Sequence, residues 1–174
     1  TDTGLNVPGW VQVPVVAAGP IQVAAAAVHS MNPADYAIVG EDVVEVLPEE
    51  TVGHYADWLH INAREIYKLN NLQSEKTVRV GAMLKLDFTK VDREHFEARR
   101  RQFHTNLQTK YFSAWRIADT QSYQLKSSES LAQVVRANDV PMWLFLQYNP
   151  GVDPSHVQTG QTVVMPKVER ISAR

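Results

Sequence analysis

The chain has 174 residues, 44% of them apolar and 9% aromatic, enough to bury the cores of one or two small domains and too apolar for a disordered polymer. Its formal net charge of −2 gives a polyanion little electrostatic reason to bind, so nucleic acid is not an expected partner. The absence of cysteine removes thiol nucleophiles, disulfides and thiolate metal sites together, and no apolar run approaches the roughly 20 residues needed to cross a bilayer.

Residues 1–39 are rich in Pro, Gly, Val and Ala. Pro8, Pro14 and Pro20 exclude a continuous helix. The alternation of Val11, Val13 and Val15, then Ile21 and Val23, suits short edge strands or an extended arm. We read this stretch as an extended N-terminal arm without an assigned function. The start at Thr1 without Met suggests a processed or trimmed chain, and with no basic region followed by an apolar one, a signal peptide has either been removed or never existed.

Residues 40–88 read as strand, helix, helix, strand. Val44 and Val46 alternate as a short strand, and Thr51 is placed to cap a helix on which Val52, Tyr55, Ala56 and Leu59 recur at helical spacing. Asn62 suits the cap of a second helix carrying Ile66 and Leu69. Asn70-Asn71 is expected to end it, because Asn tolerates left-handed backbone angles. Gly81 marks a turn before a return strand with Met83, Leu84 and Leu86.

Residues 89–116 predict a helix over Val91–Trp115, about 36 Å long at 1.5 Å per residue. Thr89 and Asp92 suit a capping box. Phe96, Phe103, Leu107 and Tyr111 form a stripe that must bury against something, whether a module, an antiparallel partner or a second copy of the chain. The basic run Arg99, Arg100, Arg101 reads as a solvated face of this helix rather than a patch for an acidic partner.

Residues 117–168 repeat the first pattern, and 169–174 read as a tail. Tyr123 and Leu125 start a strand, Ser130 and Gln133 form a capping box, and Leu131, Val134 and Val135 face inward. Pro141 suits a first helical turn, Asn149-Pro150 stops the second helix, and Val163 and Met165 form the return strand, which Pro166 closes. Sliding the chain by 79 residues superposes the two stretches without a gap: Val46 on Leu125, Thr51 on Ser130, Val52 on Leu131, Ile66 on Phe145, Asn70 on Asn149, Gly81 on Gly160, Leu84 on Val163 and Leu86 on Met165.

Both copies resemble the LysM family, a βααβ module of about fifty residues. The first carries Val44-Glu45-Val46, Glu50-Thr51-Val52, Leu69-Asn70-Asn71-Leu72 and Val80-Gly81-Ala82-Met83-Leu84-Lys85-Leu86. The second carries Tyr123-Gln124-Leu125, Glu129-Ser130-Leu131, Tyr148-Asn149-Pro150 and Thr159-Gly160-Gln161-Thr162-Val163-Val164-Met165-Pro166. The fold class so implied is α+β, with two βααβ modules joined by a long amphipathic helix. The resemblance implies a shallow groove for N-acetylated sugar between the first strand–helix loop and the second helix–strand loop. Its residues map onto Glu49, Glu50, Thr51, Val52, Asn71 and Leu72 in the first copy. In the second they are Ser128, Glu129, Ser130, Leu131, Pro150 and Gly151. The chain departs from the family where Glu49 and Ser128 replace a turn glycine, where Glu50 and Glu129 replace an Asp, and where Pro150 replaces the second Asn. Thr51 and Ser130 have capping duty, and Val52 and Leu131 core duty, with or without sugar. Glu50 and Glu129 equally suit the positive end of a helix dipole.

No residue constellation calls for catalysis, a metal or a cofactor. Glu129-Ser130 resembles the dipeptide at the acid of lytic transglycosylases, yet it falls at a strand–helix turn without a deep cleft to raise a carboxyl pKa. His54, Asp57 and His60 lack the i, i+4 His pair that places two zinc ligands on one helix face. Trp58 and Trp143 suit packing against the linker helix better than service as sugar platforms. The resemblance therefore implies a non-catalytic binder of peptidoglycan or a related N-acetylglucosamine polymer, in the bacterial cell envelope, periplasmic or secreted. The alternative is a structural subunit of an envelope, secretion or phage-tail assembly, with envelope protein partners or self-association through the linker helix.

Overall fold

A computed structural model of the chain describes residues 36–73 and 78–172. The extended arm expected over 1–39 therefore lies, up to residue 35, outside the described residues. The described chain is mixed α+β, with two small antiparallel sheets and five helices. It divides into two compact units, residues 36–104 and residues 105–172, with the boundary inside the long helix.

In the first unit β1 (Val43–Glu45) pairs antiparallel with β2 (Met83–Lys85), and between them run α1 (Val52–Leu59) and α2 (Ala63–Leu69). Each helix begins where a side chain satisfies an orphan N–H: Thr51 Oγ1 accepts from His54 N in a reciprocal capping box, and Asn62 Oδ1 accepts from Arg64 N. Val44, Val46, Val52, Tyr55, Ala56, Trp58, Leu59, Ile66, Leu84 and Leu86 form the core, and Phe96 of the long helix completes it. Trp58 is buried edge-on against Phe96 and Phe103, so it is a packing residue.

The long helix α3 (Arg93–Ala114) starts under Asp92, whose carboxylate accepts from His95 N. Thr89 instead donates its own N–H to Asp87, so the expected Thr89–Asp92 box does not form. The buried face of α3 is Phe96, Arg100, His104, Gln108 and Phe112, one residue per turn. The apolar stripe expected from sequence lies beside it, since Phe103, Leu107 and Tyr111 are only half-buried. Arg100 corrects the reading of 99–101 as a solvated face: Arg99 is exposed, but Arg100 is 1% exposed.

In the second unit β3 (Trp115–Gln124) pairs antiparallel with β4 (Thr162–Arg170), enclosing α4 (Leu131–Ala137) and α5 (Met142–Tyr148). Ser130 caps α4 in a capping box with Gln133, as the spacing predicts. The core includes Leu125, Leu131, Val134, Val135, Val140, Trp143, Leu144, Phe145, Tyr148, Val163 and Met165. Tyr111 and Phe112 of α3 meet Trp143 edge-on. The strand pair is three times the length of its counterpart, with a register irregularity between Ile117 and Asp119. Pro166 does not close the strand. It pairs with Thr120 inside β4, tolerated because each strand of a two-stranded sheet has a free edge on which a missing N–H costs no ladder bond.

Candidate functional site

Each sheet carries two loops at one end. Glu45 pairs with Met83 where β1 ends and β2 begins, so the β1–α1 and α2–β2 loops leave the same edge of the module. Beyond the strands, Val46 N donates to Ala82 O and Gly81 N donates to Val46 O. The second module repeats this with Leu125 N to Gln161 O and Gly160 N to Leu125 O. Gly81 and Gly160 sit at φ +84° and +82°, where a side chain would be strained, which accounts for glycine at both turns.

A second frame element also recurs, and the sequence reading assigned it a different role. Asn70 does not take left-handed angles; its φ is −106°, and Asn71 is the residue at φ +53°. The Asn70 amide instead ties α2 to β2: Nδ2 donates to Ile66 O and Lys85 O, while Oδ1 accepts from Lys85 N. Asn149 makes the same three bonds, to Phe145 O, Val164 O and Val164 N. In the second module Pro150 occupies the place of Asn71, and the left-handed residue moves one position on, to Gly151 at φ +85°. The signal for this role was the bare identity of Asn at both positions.

The β1–α1 loop of the first module is a tight turn in which Glu50 N donates to Leu47 O, with Pro48 and Glu49 at its centre. Glu49 takes φ +69°, the angle that a type II turn demands of its third residue. Glu49, standing where the family has a turn glycine, thus takes a conformation that costs an L-residue more than it would cost Gly. In the second module the same bond joins Glu129 N to Lys126 O, but Ser128 is not among the residues at positive φ. The two loops close by different turns.

The acidic residues behind these turns differ more. The Glu50 side chain is 0% exposed and its two oxygens accept from five donors. Oε1 takes Arg100 Nε at 2.6 Å and His104 Nε2 at 2.8 Å. Oε2 takes Arg100 Nη2 and Leu47 N, both at 2.9 Å, and the Tyr55 hydroxyl. Arg100 further donates to the carbonyls of Glu45 and Tyr36. Burial alone would push the Glu50 carboxyl up, but its bonds to His104 and Arg100 outweigh this and hold it at about 2. Burial pushes the His104 imidazole below its ordinary value against the pull of Glu50, so the ring is neutral near pH 7 and donates through Nε2. Glu129, by contrast, is partly exposed. It accepts from the Tyr123 hydroxyl and Lys126 N, and the Tyr123 bond holds its carboxyl below the usual range.

Among the mapped residues, Glu49, Thr51, Asn71, Ser128, Ser130, Pro150 and Gly151 are exposed, and Leu72 and Glu129 are intermediate. Glu50, Val52 and Leu131 are buried. Leu72 packs against the core that contains Val52, so both loops of the first module rest on the same core. The Glu50 carboxylate faces inward with every lone pair occupied, so whatever Glu50 presents to solvent is backbone. Among the described residues no cluster of His, Asp or Glu is arranged to hold a metal, and no helix is long and apolar enough to cross a membrane.

A family model for the LysM domain matches residues 45–87 and 123–166, together half of the chain. The chain belongs to the LysM family, as a tandem of two modules. LysM domains are generally binding modules for N-acetylglucosamine and peptidoglycan, and the family is not a catalytic one. No curated protein matches the chain.

Proposed function

We propose that this chain binds N-acetylglucosamine-containing glycan, peptidoglycan above all, through the paired loops of both modules and without catalysis, anchoring itself or an assembly to the cell wall. The observation that carries this reading is the doubled loop frame. The same Asn bonds and the same glycine bonds recur at both modules, although the side chains around them have diverged. A frame kept while its surroundings change points to the loops as the working part. Thr51, Asn71, Ser130 and Gly151 are exposed, and backbone, hydroxyl and amide groups of these kinds hydrogen-bond an acetamido sugar. Two weak sites on one chain gain avidity on a polymer whenever both engage it. The reading places the protein in the bacterial cell envelope, periplasmic or secreted.

Sedimentation with purified peptidoglycan sacculi, followed by NMR titration with N-acetylglucosamine oligomers, tests the proposal. Co-sedimentation together with shifts confined to the amides of residues 49–52, 71–72, 128–131 and 151 is the expected result. A chain that stays in the supernatant and whose spectrum does not move would overturn it.

A further inference from the structure

We propose that Arg100 and His104 are positioning residues for the glycan groove of the first module, so that the working unit is residues 36–104 and not the fifty-residue LysM module alone. The inference rests on the reading above, and it extends that groove to a helix that the family match does not include.

The geometry runs from α3 to the loop in two steps. Arg100 and His104 sit one turn apart on the buried face of α3 and both reach Glu50. Glu50 in turn accepts the N–H of Leu47, the first residue of the β1–α1 turn, while its own N–H closes that turn on Leu47 O. The turn holds Glu49 in a left-handed conformation that an L-residue resists. Besides the turn's own backbone bond, the carboxylate anchored from α3 is bonded to the turn, at Leu47 N. Arg100 also bonds Glu45 O, at the end of β1 from which the loop departs. The second module shows that the arrangement is particular to the first: Glu129 holds the equivalent N–H of Lys126, but its other hydrogen-bond partner is Tyr123 of its own module. Loop placement is thus set from outside the repeat in one copy and from within it in the other.

The test uses the full chain with Arg100→Gln, Arg100→Lys and His104→Leu, each read by two residue-resolved measurements. Hydrogen exchange of the Leu47 amide reports the loop, and titration with N-acetylglucosamine oligomers reports each groove. Arg100→Gln is expected to raise Leu47 exchange and weaken binding at residues 49–52 about tenfold, with residues 128–131 unchanged. Arg100→Lys, which keeps the charge, restores part of both. If Arg100→Gln does not fold, His104→Leu decides, because it leaves the charged pair in place while removing one donor, and a smaller change of the same pattern is expected. Folded variants with wild-type Leu47 exchange and wild-type binding at the first groove overturn the proposal. If the unsubstituted chain binds glycan at neither groove, the glycan reading fails. The Leu47 measurement then still separates a loop set from α3 from one that is independent of it.

Discussion

The two modules share a frame and differ in what stands behind it. Much of their cores superposes at a separation of 79, Val46 on Leu125, Val52 on Leu131 and Ile66 on Phe145 among them, yet the first places a buried carboxylate, guanidinium and imidazole where the second places a carboxylate at the surface. Each module also turns one Trp toward α3, but from a different element: Trp58 comes from α1 and Trp143 from α5. Duplication preserved the parts whose hydrogen bonds close within the repeat. The parts that meet the intervening helix were free to diverge, because α3 presents a different set of side chains to each copy.

Removing the acid from each module gives the widest separation. Glu50→Gln strands Arg100 as a buried charge and is expected to cost the first unit about 3–5 kcal/mol, whereas Glu129→Gln, at the surface, produces a small loss confined to the second unit. Urea denaturation followed at NMR signals of each unit separates the two, and equal losses would erase the contrast.

Acid should divide the modules in the same direction. The folded-state pKa of Glu50 lies below its unfolded value, so its contribution is complete above pH 4.5 and is lost as pH falls from there to about 2. The shift corresponds to about 3 kcal/mol. His104, buried neutral, adds to the loss, since the unfolded imidazole takes up its proton from about pH 6.5 downward while the folded one resists. Stability of the first unit is therefore expected to fall more steeply below pH 6 than that of the second. Hydrogen exchange across a pH series checks this, and parallel slopes for the two units would contradict it.

The shared frame should give effects of one kind but unequal size. Asn149 is buried and Asn70 partly exposed, so Asn149→Ala should cost about 2 kcal/mol and Asn70→Ala about 1 kcal/mol, since a stranded backbone group costs more where water is excluded. Thermal melts of the two variants rank them. The smallest contrast lies in the turns. Glu49→Gly relieves a left-handed residue and is expected to stabilise by up to about 1 kcal/mol, whereas Ser128→Gly, without positive φ to relieve, should be neutral or slightly destabilising. Denaturant midpoints of the two variants, compared directly, test the assignment of different turns.

The repeat, the caps and most of the core could be read from residue types alone. Thr51, Asn62 and Ser130 are short polar residues standing before helical apolar spacing, and their capping bonds are local. The buried positions of both modules follow from periods of two and 3.6. The resemblance points to candidate groove loops at Glu49–Val52 and Ser128–Leu131, but does not reach their inner structure. That Glu50 points inward while Glu129 does not has no trace in the stretches Glu-Glu-Thr-Val and Ser-Glu-Ser-Leu. The spacing of four through Phe96, Arg100, His104, Gln108 and Phe112 was visible, but polar members hid it as a buried face.

Sequence by itself determined the strand–helix–helix–strand order and that it occurs twice, because those choices depend on neighbours within a turn or a pleat; it did not show that β3 begins at Trp115 or that β4 runs on past Pro166 through the expected tail to Arg170. Tertiary structure alone decided which charges are interior. A guanidinium leaves water only when a carboxylate awaits it, and the one that receives Arg100 lies 50 positions away on another element, brought near by the packing of Phe96 into the first core. Periodicity measures apolarity along the chain, and the pairing of two buried charges is a property of the assembled core.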